Sequence, residues 1–252
     1  MLKVRIMPTL LYKEVGLVKG VRFDSWRRVG SAMQTVKVYN LRQVDELVLL
    51  DIRATLDDRG PDLVAVDELA DECFMPLTVG GGVRTIDDVR SLLMVGADKV
   101  SMNTAAIENP GLIREVADRF GSQCVVVSID ASRQADGTYQ VYTHAGTRCA
   151  GLDPVAVARE AERMGAGEIL LTSIDHDGAM DGYDLELTRR VAEAVRVPVI
   201  ASGGAGNYQH MAEALRIGHA SAVAAASMFH FTEQTPLEAK RYLGELGFAV
   251  RR

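Results

Sequence analysis

Residues 77–106 read LTVGGGVRTIDDVRSLLMVGADKVSMNTAA, and residues 199–227 read VIASGGAGNYQHMAEALRIGHASAVAAAS. The two stretches run parallel at an offset of 122 residues, which brings Gly81 and Gly82 onto Gly203 and Gly204. Each is a short apolar run, a glycine turn, an amphipathic segment and a second apolar run, the pattern of two strands joined by a helix. The same offset carries ELVLLDI, starting at Glu46, onto EILLTSI, starting at Glu168. A nearby offset of 119 relates RIMPTLL, residues 5–11, to CVVVSID, residues 124–130. Two homologous halves of alternating strand and helix read as a duplicated half-barrel. The repeat breaks at one position that carries chemistry: the second half has Asp130 where the first has Leu11.

Working outward, eight apolar runs recur near residues 6, 49, 78, 100, 126, 171, 200 and 224. They are continuous and not alternating, as parallel strands buried on both faces require. Helix signals lie between them. Thr85 has Asp88 three residues on, Asn109 precedes Pro110 at an expected first helical position, and Gly96 and Gly121 follow the two helices. The predicted fold is α/β: a single (β/α)8 TIM barrel spanning residues 1–252, built from two half-barrels. A barrel of this kind needs about 250 residues. A doubly wound sheet is the alternative, and the duplication favours closure.

Apolar residues make up 48% of the chain, enough for a substantial core. A net charge of −6 argues against a nucleic-acid partner. Cys73, Cys124 and Cys149 are odd in number and lack C-x-x-C spacing, so they read as reduced thiols of a cytoplasmic protein. The opening MLKVRIMPTLLYKEV reads as neither a signal peptide nor a membrane span. The five histidines, among them His144 and His176, lack ligand spacing. Neither a metal nor a cofactor is expected.

Barrel geometry sorts the remaining polar residues by height, because strand C-terminal ends carry activity and strand starts carry stability. Gly82 follows the third strand and Asn103-Thr104 the fourth, while Ser202-Gly203-Gly204 follow the seventh and Ser227 the eighth. Glycine turns at helix starts admit an anion to backbone N–H groups, so the duplicated set suggests two phosphate cups at opposite rims. Asp130 at the tip of the fifth strand is the candidate general acid or base. Asp51, Thr172, Asp177 and Ser202 sit at neighbouring tips, and Lys19 lies in the first loop, where it is expected to close over an anionic ligand. At the other end, Arg5, Glu46, Lys99 and Glu168 stand at or near strand starts. Two cations and two anions there form either a structural plug or something functional, and both readings require pairing.

The motifs PLTVGGGVRTIDD, GADKVSMNTAA, DRFGSQCVVVSIDA, GAGEILLTSIDHDGAMDGYD, PVIASGGAG and the late FHF resemble the cyclase subunit of imidazole glycerol phosphate synthase along essentially the whole chain. The resemblance implies a heterodimer with a glutaminase subunit. Ammonia would pass up the barrel, through a charged gate, to a bis-phosphorylated intermediate. It assigns the gate to Arg5, Glu46, Lys99 and Glu168, the partner interface to Asp98, and phosphate binding to Gly82, Asn103, Thr104, Asp177, Gly178, Gly203, Gly204 and Ser227. Asp130 matches one catalytic carboxylate. The first strand departs from the family pattern: IMPTLLYKEVGLVKG has Leu11 at the other catalytic aspartate and Thr9 at a cysteine. Leucine transfers no proton, and a general acid–base group contributes about 10²–10⁴-fold.

With VDELVLLDI and DECFMP, the chain resembles a divergent branch of that family that serves acetamidino-group formation on bacterial surface sugars. The resemblance implies glutamine-derived ammonia, a phosphorylated or nucleotide-linked substrate, and an amidotransferase-like ligase as a further partner. Three readings stay open: an ammonia-channelling barrel for sugar amidination, a histidine-pathway cyclase, and a noncatalytic scaffold for a glutaminase.

Overall fold

The computed structural model describes residues 3–13 and 16–251 of the chain. The first half opens with β1 (Arg5–Lys13), an antiparallel hairpin of β2 (Gly16–Val21) and β3 (Asp24–Gly30), and α1 (Ala32–Leu41). It continues through β4 (Leu47–Asp51), α2 (Leu63–Ala70), β5 (Leu77–Gly80), α3 (Ile86–Met94), β6 (Lys99–Met102), α4 (Thr104–Glu108) and α5 (Gly111–Phe120). The second half opens with β7 (Val125–Arg133), β8 (Tyr139–Thr143), β9 (Arg148–Cys149) and α6 (Pro154–Arg163). It continues through β10 (Glu168–Ser173), α7 (Leu185–Ala192), β11 (Val199–Ser202), α8 (Tyr208–Arg216), β12 (Ala222–Ala225), α9 (Ser227–Phe231) and α10 (Pro236–Glu245).

Eight of these strands close into a parallel ring, β1-β4-β5-β6-β7-β10-β11-β12, with helices between them. The expected (β/α)8 barrel is the observed fold. The inward residues follow the two-residue strand period. On β1 they are Arg5, Met7, Thr9 and Leu11, and register sets Thr9 beside Val48 and Leu11 beside Leu50. Thr172 lies beside both Asp130 and Ser202. Three tiers result: charged groups at the bottom, an apolar middle of Met7, Val48, Val126, Leu170, Ile200, Ala222 and Ala224, and a hydroxyl- and carboxyl-bearing top. Outside the ring, the helices bury a second apolar layer against the strands.

Local sequence accounts for the helix ends. Thr85 and Asp88 make a reciprocal capping box on α3, and Gly96 follows that helix at φ +103°. Pro110 already has helical dihedrals (φ −57°, ψ −22°), but α5 begins one residue later, at Gly111. The larger departure from expectation is at the rims. β1 and β7 are both nine residues long, overrun the barrel and pair with antiparallel strands. Lys19 therefore lies on strand β2 and not in an open loop, and His144 follows β8. The two excursions are themselves a repeat: Arg22 and Phe23 (φ +52° and +58°) and His144 and Ala145 (both φ +52°) are again 122 residues apart.

One buried ion pair ties the last helix to the barrel floor. Lys240 of α10 reaches Asp45 Oδ1 at 2.7 Å and also donates to the Gln43 carbonyl, while Asp45 Oδ2 accepts from Ile6 N at 3.0 Å. Neither side chain is more than 8% exposed. Removing one partner strands the other in a dry site. Lys240→Met is expected to cost about 3–5 kcal/mol by chemical denaturation, and adding Asp45→Asn is expected to restore part of the loss.

Candidate active site at the C-terminal rim

The top tier opens into a cavity of about 140 Å³. It brings together every residue anticipated for ligand contact: Asp130, Lys19, Asp51, Gly82, Asn103, Thr104, Thr172, Asp177, Gly178, Ser202, Gly203, Gly204 and Ser227. The walls differ. One is apolar, with Leu11 and Leu50 side by side. The other carries Ser101, Ser128, Asp130, Thr172 and Asp177. The hydroxyls of Thr9, Ser101 and Ser227 line this cavity and have no hydrogen-bond partner among the described residues. Buried polar groups in that condition point to a bound molecule or ordered water.

Asp130 is the group whose acidity the site changes most usefully. Burial, and then the Asp177 carboxylate, push it up to about 7, against hydrogen bonds from Thr172 and Ser128 that pull it down. An acid poised there can give or take a proton near neutrality. Lys19 is buried, with Nζ 2.6 Å from Asp177 Oδ2. The expected open-loop lysine is thus a fixed cation, pinned by its strand and its carboxylate. Behind it, burial and then the Lys19 charge hold His230 down to about 4, so its imidazole is neutral, although a hydrogen bond to the Thr9 backbone acts the other way. Asp51 Oδ1 accepts from Arg53 N and Ala54 N, and Oδ2 pairs with Arg59 at 2.7 Å.

The glycine turns are crowded as well as open. A Cβ on Gly81 would lie 2.2 Å from the Asp51 carbonyl oxygen, and one on its mate Gly203 would lie 2.5 Å from that of Ser173. Both have positive φ. Close approach of neighbouring loops therefore accounts for glycine there, and the same turns leave Gly82 and Gly204 lining the cavity. Asn103 donates to the carbonyls of Ser128 and Tyr142 at 3.2 Å, and Thr104 Oγ1 accepts from His144 N at 3.0 Å, which ties α4 to the β8–β9 excursion. His176 pairs with Asp181 at 3.0 Å. Among the described residues there is no metal-binding group of His, Cys, Asp or Glu.

At the opposite face, Arg5, Glu46, Lys99 and Glu168 meet in one closed ring on the barrel axis. Arg5 Nη1 lies 2.8 Å from Glu46 and 2.9 Å from Glu168, and Lys99 Nζ lies 2.8 Å from Glu46 and 3.2 Å from Glu168. Thr78 Oγ1 adds a 2.8 Å bond to Glu46. Burial opposes the charge on Arg5, but Glu168 and Glu46 together outweigh it and its pKa is raised. Asp98 is exposed beside the ring, with Oδ2 accepting from Leu77 N at 2.8 Å.

Sequence reasoning missed Thr9's unpaired hydroxyl, Ser101, Ser128 and the two aromatic rings Phe23 and Trp26, all of which line the cavity. Ser101 and Ser128 were accessible by counting two residues up from Lys99 and Val126. The aromatic pair was not, because it arrives on the unanticipated hairpin.

The fold and this two-ended arrangement define an α/β-barrel protein with a ligand cavity at the strand tips. Residues 5–235 match the family described as histidine biosynthesis protein, and the chain belongs to that family. The cyclase-type barrel anticipated from the motifs is consistent with it. No described helix is long and apolar enough to cross a membrane.

The raised Asp130 has a consequence for stability. Between about pH 4 and pH 7 the unfolded chain releases the proton while the folded chain keeps it, so this group's contribution to stability falls as pH rises. Asp130→Asn lacks that penalty. It is expected to match the parent near pH 4 and to exceed it by on the order of 2–4 kcal/mol above pH 7, read from denaturant titrations at the two pH values.

Proposed function

We propose that this chain is the ammonia-accepting barrel subunit of a glutamine-dependent enzyme, working with a glutaminase subunit in the amidination of an acetamido sugar for a bacterial surface polysaccharide. The observation that carries the reading is the pairing of a neutral four-charge ring on the floor with a cavity that keeps one acid, Asp130, and has Leu11 at the matching position of the other half. Between floor and cavity the barrel is lined by apolar side chains, the lining that suits neutral ammonia and disfavours ammonium. Ring and cavity face opposite ends, which supports the reading of Arg5, Glu46, Lys99 and Glu168 as a gate. The floor carries exposed Leu41, Phe74 and Met94, 84%, 83% and 79% accessible, near exposed Asp98, which supports a partner docked there. Lys19, the glycine turns and the unpartnered hydroxyls support a phosphorylated or nucleotide-linked ligand. An amidotransferase-like ligase would use the product. Three free thiols support a reducing cytoplasm.

A second reading, the cyclase of histidine biosynthesis, is favoured by the family match and by the near-neutral Asp130. Leu11 counts against it, since the cyclisation loses one of its two proton-transfer groups. A noncatalytic scaffold would not need a buried, near-neutral acid.

The decisive assay supplies ammonium and the bis-phosphorylated ribulosyl intermediate. The parent protein is expected to turn over near background, with Leu11→Asp raising the rate by about 10²-fold or more where the cavity still fits the intermediate. Rapid turnover by the parent would sink the argument from Leu11 and favour the histidine cyclase. Lys99→Leu is expected to depress glutamine-dependent product formation more than ammonium-dependent formation. Equal losses with the complex intact would make the ring a plug.

A further inference from the structure

Trp26 is the only tryptophan of the chain. It stands on β3, where Asp24, Ser25, Arg27 and Arg28 are exposed while the indole is half-buried and lines the cavity. Its seat is built from backbone. A Cβ on Gly20 of the facing strand would lie 2.9 Å from indole Cε3 and 2.1 Å from the Asp24 carbonyl oxygen. From the other side, a Cβ on Gly178 would lie 2.2 Å from the Gly20 carbonyl oxygen. The indole and Gly178 both pack closely against Gly20, with no room for a side chain at either glycine. Two bonds pin the stack to the polar wall: Arg22 N donates to the Asp177 carbonyl at 2.7 Å, and Lys19 Nζ meets the Asp177 carboxylate at 2.6 Å.

The hairpin tip is held at some cost. Arg22 and Phe23 are the two turn residues and both have positive φ, a conformation that glycine or asparagine usually supplies. Strain of that kind persists where surrounding contacts hold it. Here it sets the Phe23 ring against Gly146, whose own Cβ would lie 2.7 Å from Phe23 Cδ2. At the far edge of the hairpin, Arg27 lies over the Phe231 ring, 3.6 Å from its centroid. The indole is thus fixed in place before any ligand arrives.

The same cavity is lined by the Trp26 indole and by Thr9, Ser101 and Ser227, whose hydroxyls find no partner among the described residues, together with Asp130 and the Lys19–Asp177 pair. A molecule that satisfies both has one apolar face and a rim of hydrogen-bonding groups. A sugar ring has that form: C–H groups on one face and hydroxyls around the edge. A nucleobase would stack equally well but offers fewer groups to rotatable hydroxyls. We propose that Trp26 is the platform on which the ring of the acetamido sugar lies, and that it sets the specificity of the site for a carbohydrate ring. This rests on the acetamido-sugar reading above.

Because no other tryptophan is present, the intrinsic fluorescence of the chain reports on this position directly. Full-length protein is titrated with N-acetylglucosamine phosphate, UDP-N-acetylglucosamine, uridine monophosphate and inorganic phosphate, by fluorescence and by calorimetry. Both acetamido sugars are expected to change the emission and protect it from acrylamide. Trp26→Leu is expected to weaken them by about tenfold or more, Trp26→Phe by no more than about threefold, and neither is expected to alter phosphate binding. Equal sugar affinity in the parent and Trp26→Leu would overturn the platform while leaving the acetamido-sugar reading intact. Trp26-dependent binding of uridine monophosphate, with no binding of N-acetylglucosamine phosphate, would overturn both. If Trp26→Leu does not fold, quenching protection in the parent and the affinity of Trp26→Phe decide: no protection by either sugar overturns the platform.

Discussion

Four charges meet on the barrel axis, and the interior is ordered around them. Arg5, Glu46, Lys99 and Glu168 stand at the starts of four strands, Glu46 just before β4, and none of them is tolerable there alone. Each cation touches both carboxylates, so the ring is neutral and closed. Its register fixes what stands above. Two residues up each strand are Met7, Val48, Ser101 and Leu170, and two further up are Thr9, Leu50, Asn103 and Thr172. A slip of one residue on any of these strands would turn a charge into the helix layer and an outer apolar residue into the axis. The same pairing that satisfies the floor therefore places the hydroxyls and Asp130 at the mouth.

The duplication is conserved in architecture and abandoned in chemistry. β1 and β7 have the same length, both overrun the rim, and both carry an antiparallel excursion whose strained residues are 122 positions apart. Phe23 of one tip lies against Gly146 of the other, so the two excursions meet over the cavity. What differs is what the strand tips present. Asp130 stands on β7, and Leu11 stands on β1 against Leu50. A pseudosymmetric scaffold thus encloses an asymmetric site, with one wall able to exchange protons and the other able only to exclude water.

The barrel was legible because parallel strands buried on both faces leave continuous apolar runs, and because two copies of one pattern corroborate each other. The charged ring was legible by the same counting, since charges at strand starts in such a barrel have few places to point. The excursions were not legible. GLVKGVRFDSWRR contains no Asn-Gly or Gly-Gly at its turn, because Arg22 and Phe23 adopt left-handed backbone that tertiary contacts hold in place. Lys19 read as a residue of an open loop that closes over an anion for the same reason: its burial depends on a strand pairing that local sequence does not announce. Asp51 lines the cavity from its strand tip, as its position suggested, and what the sequence did not announce is that Oδ1 also holds the start of the β4–α2 loop and Oδ2 pairs with Arg59.

The absence of a carboxylate at position 11 bears on the acid that remains. Two carboxylates sharing a site push one pKa strongly upward, because like charges in a poor dielectric resist joint ionisation. Asp130 already rises to about 7 from burial and from Asp177, whose own charge is balanced by Lys19 at 2.6 Å. A further aspartate at position 11 would add a negative charge to a cavity in which Lys19 is the one cation among the described lining residues. Leucine there adds apolar surface instead, lowers the local polarity and leaves Asp130 as the cavity's near-neutral titrating group. The proposed amidination would therefore have one group, Asp130, to exchange a proton near neutrality, facing an apolar wall of Leu11 and Leu50.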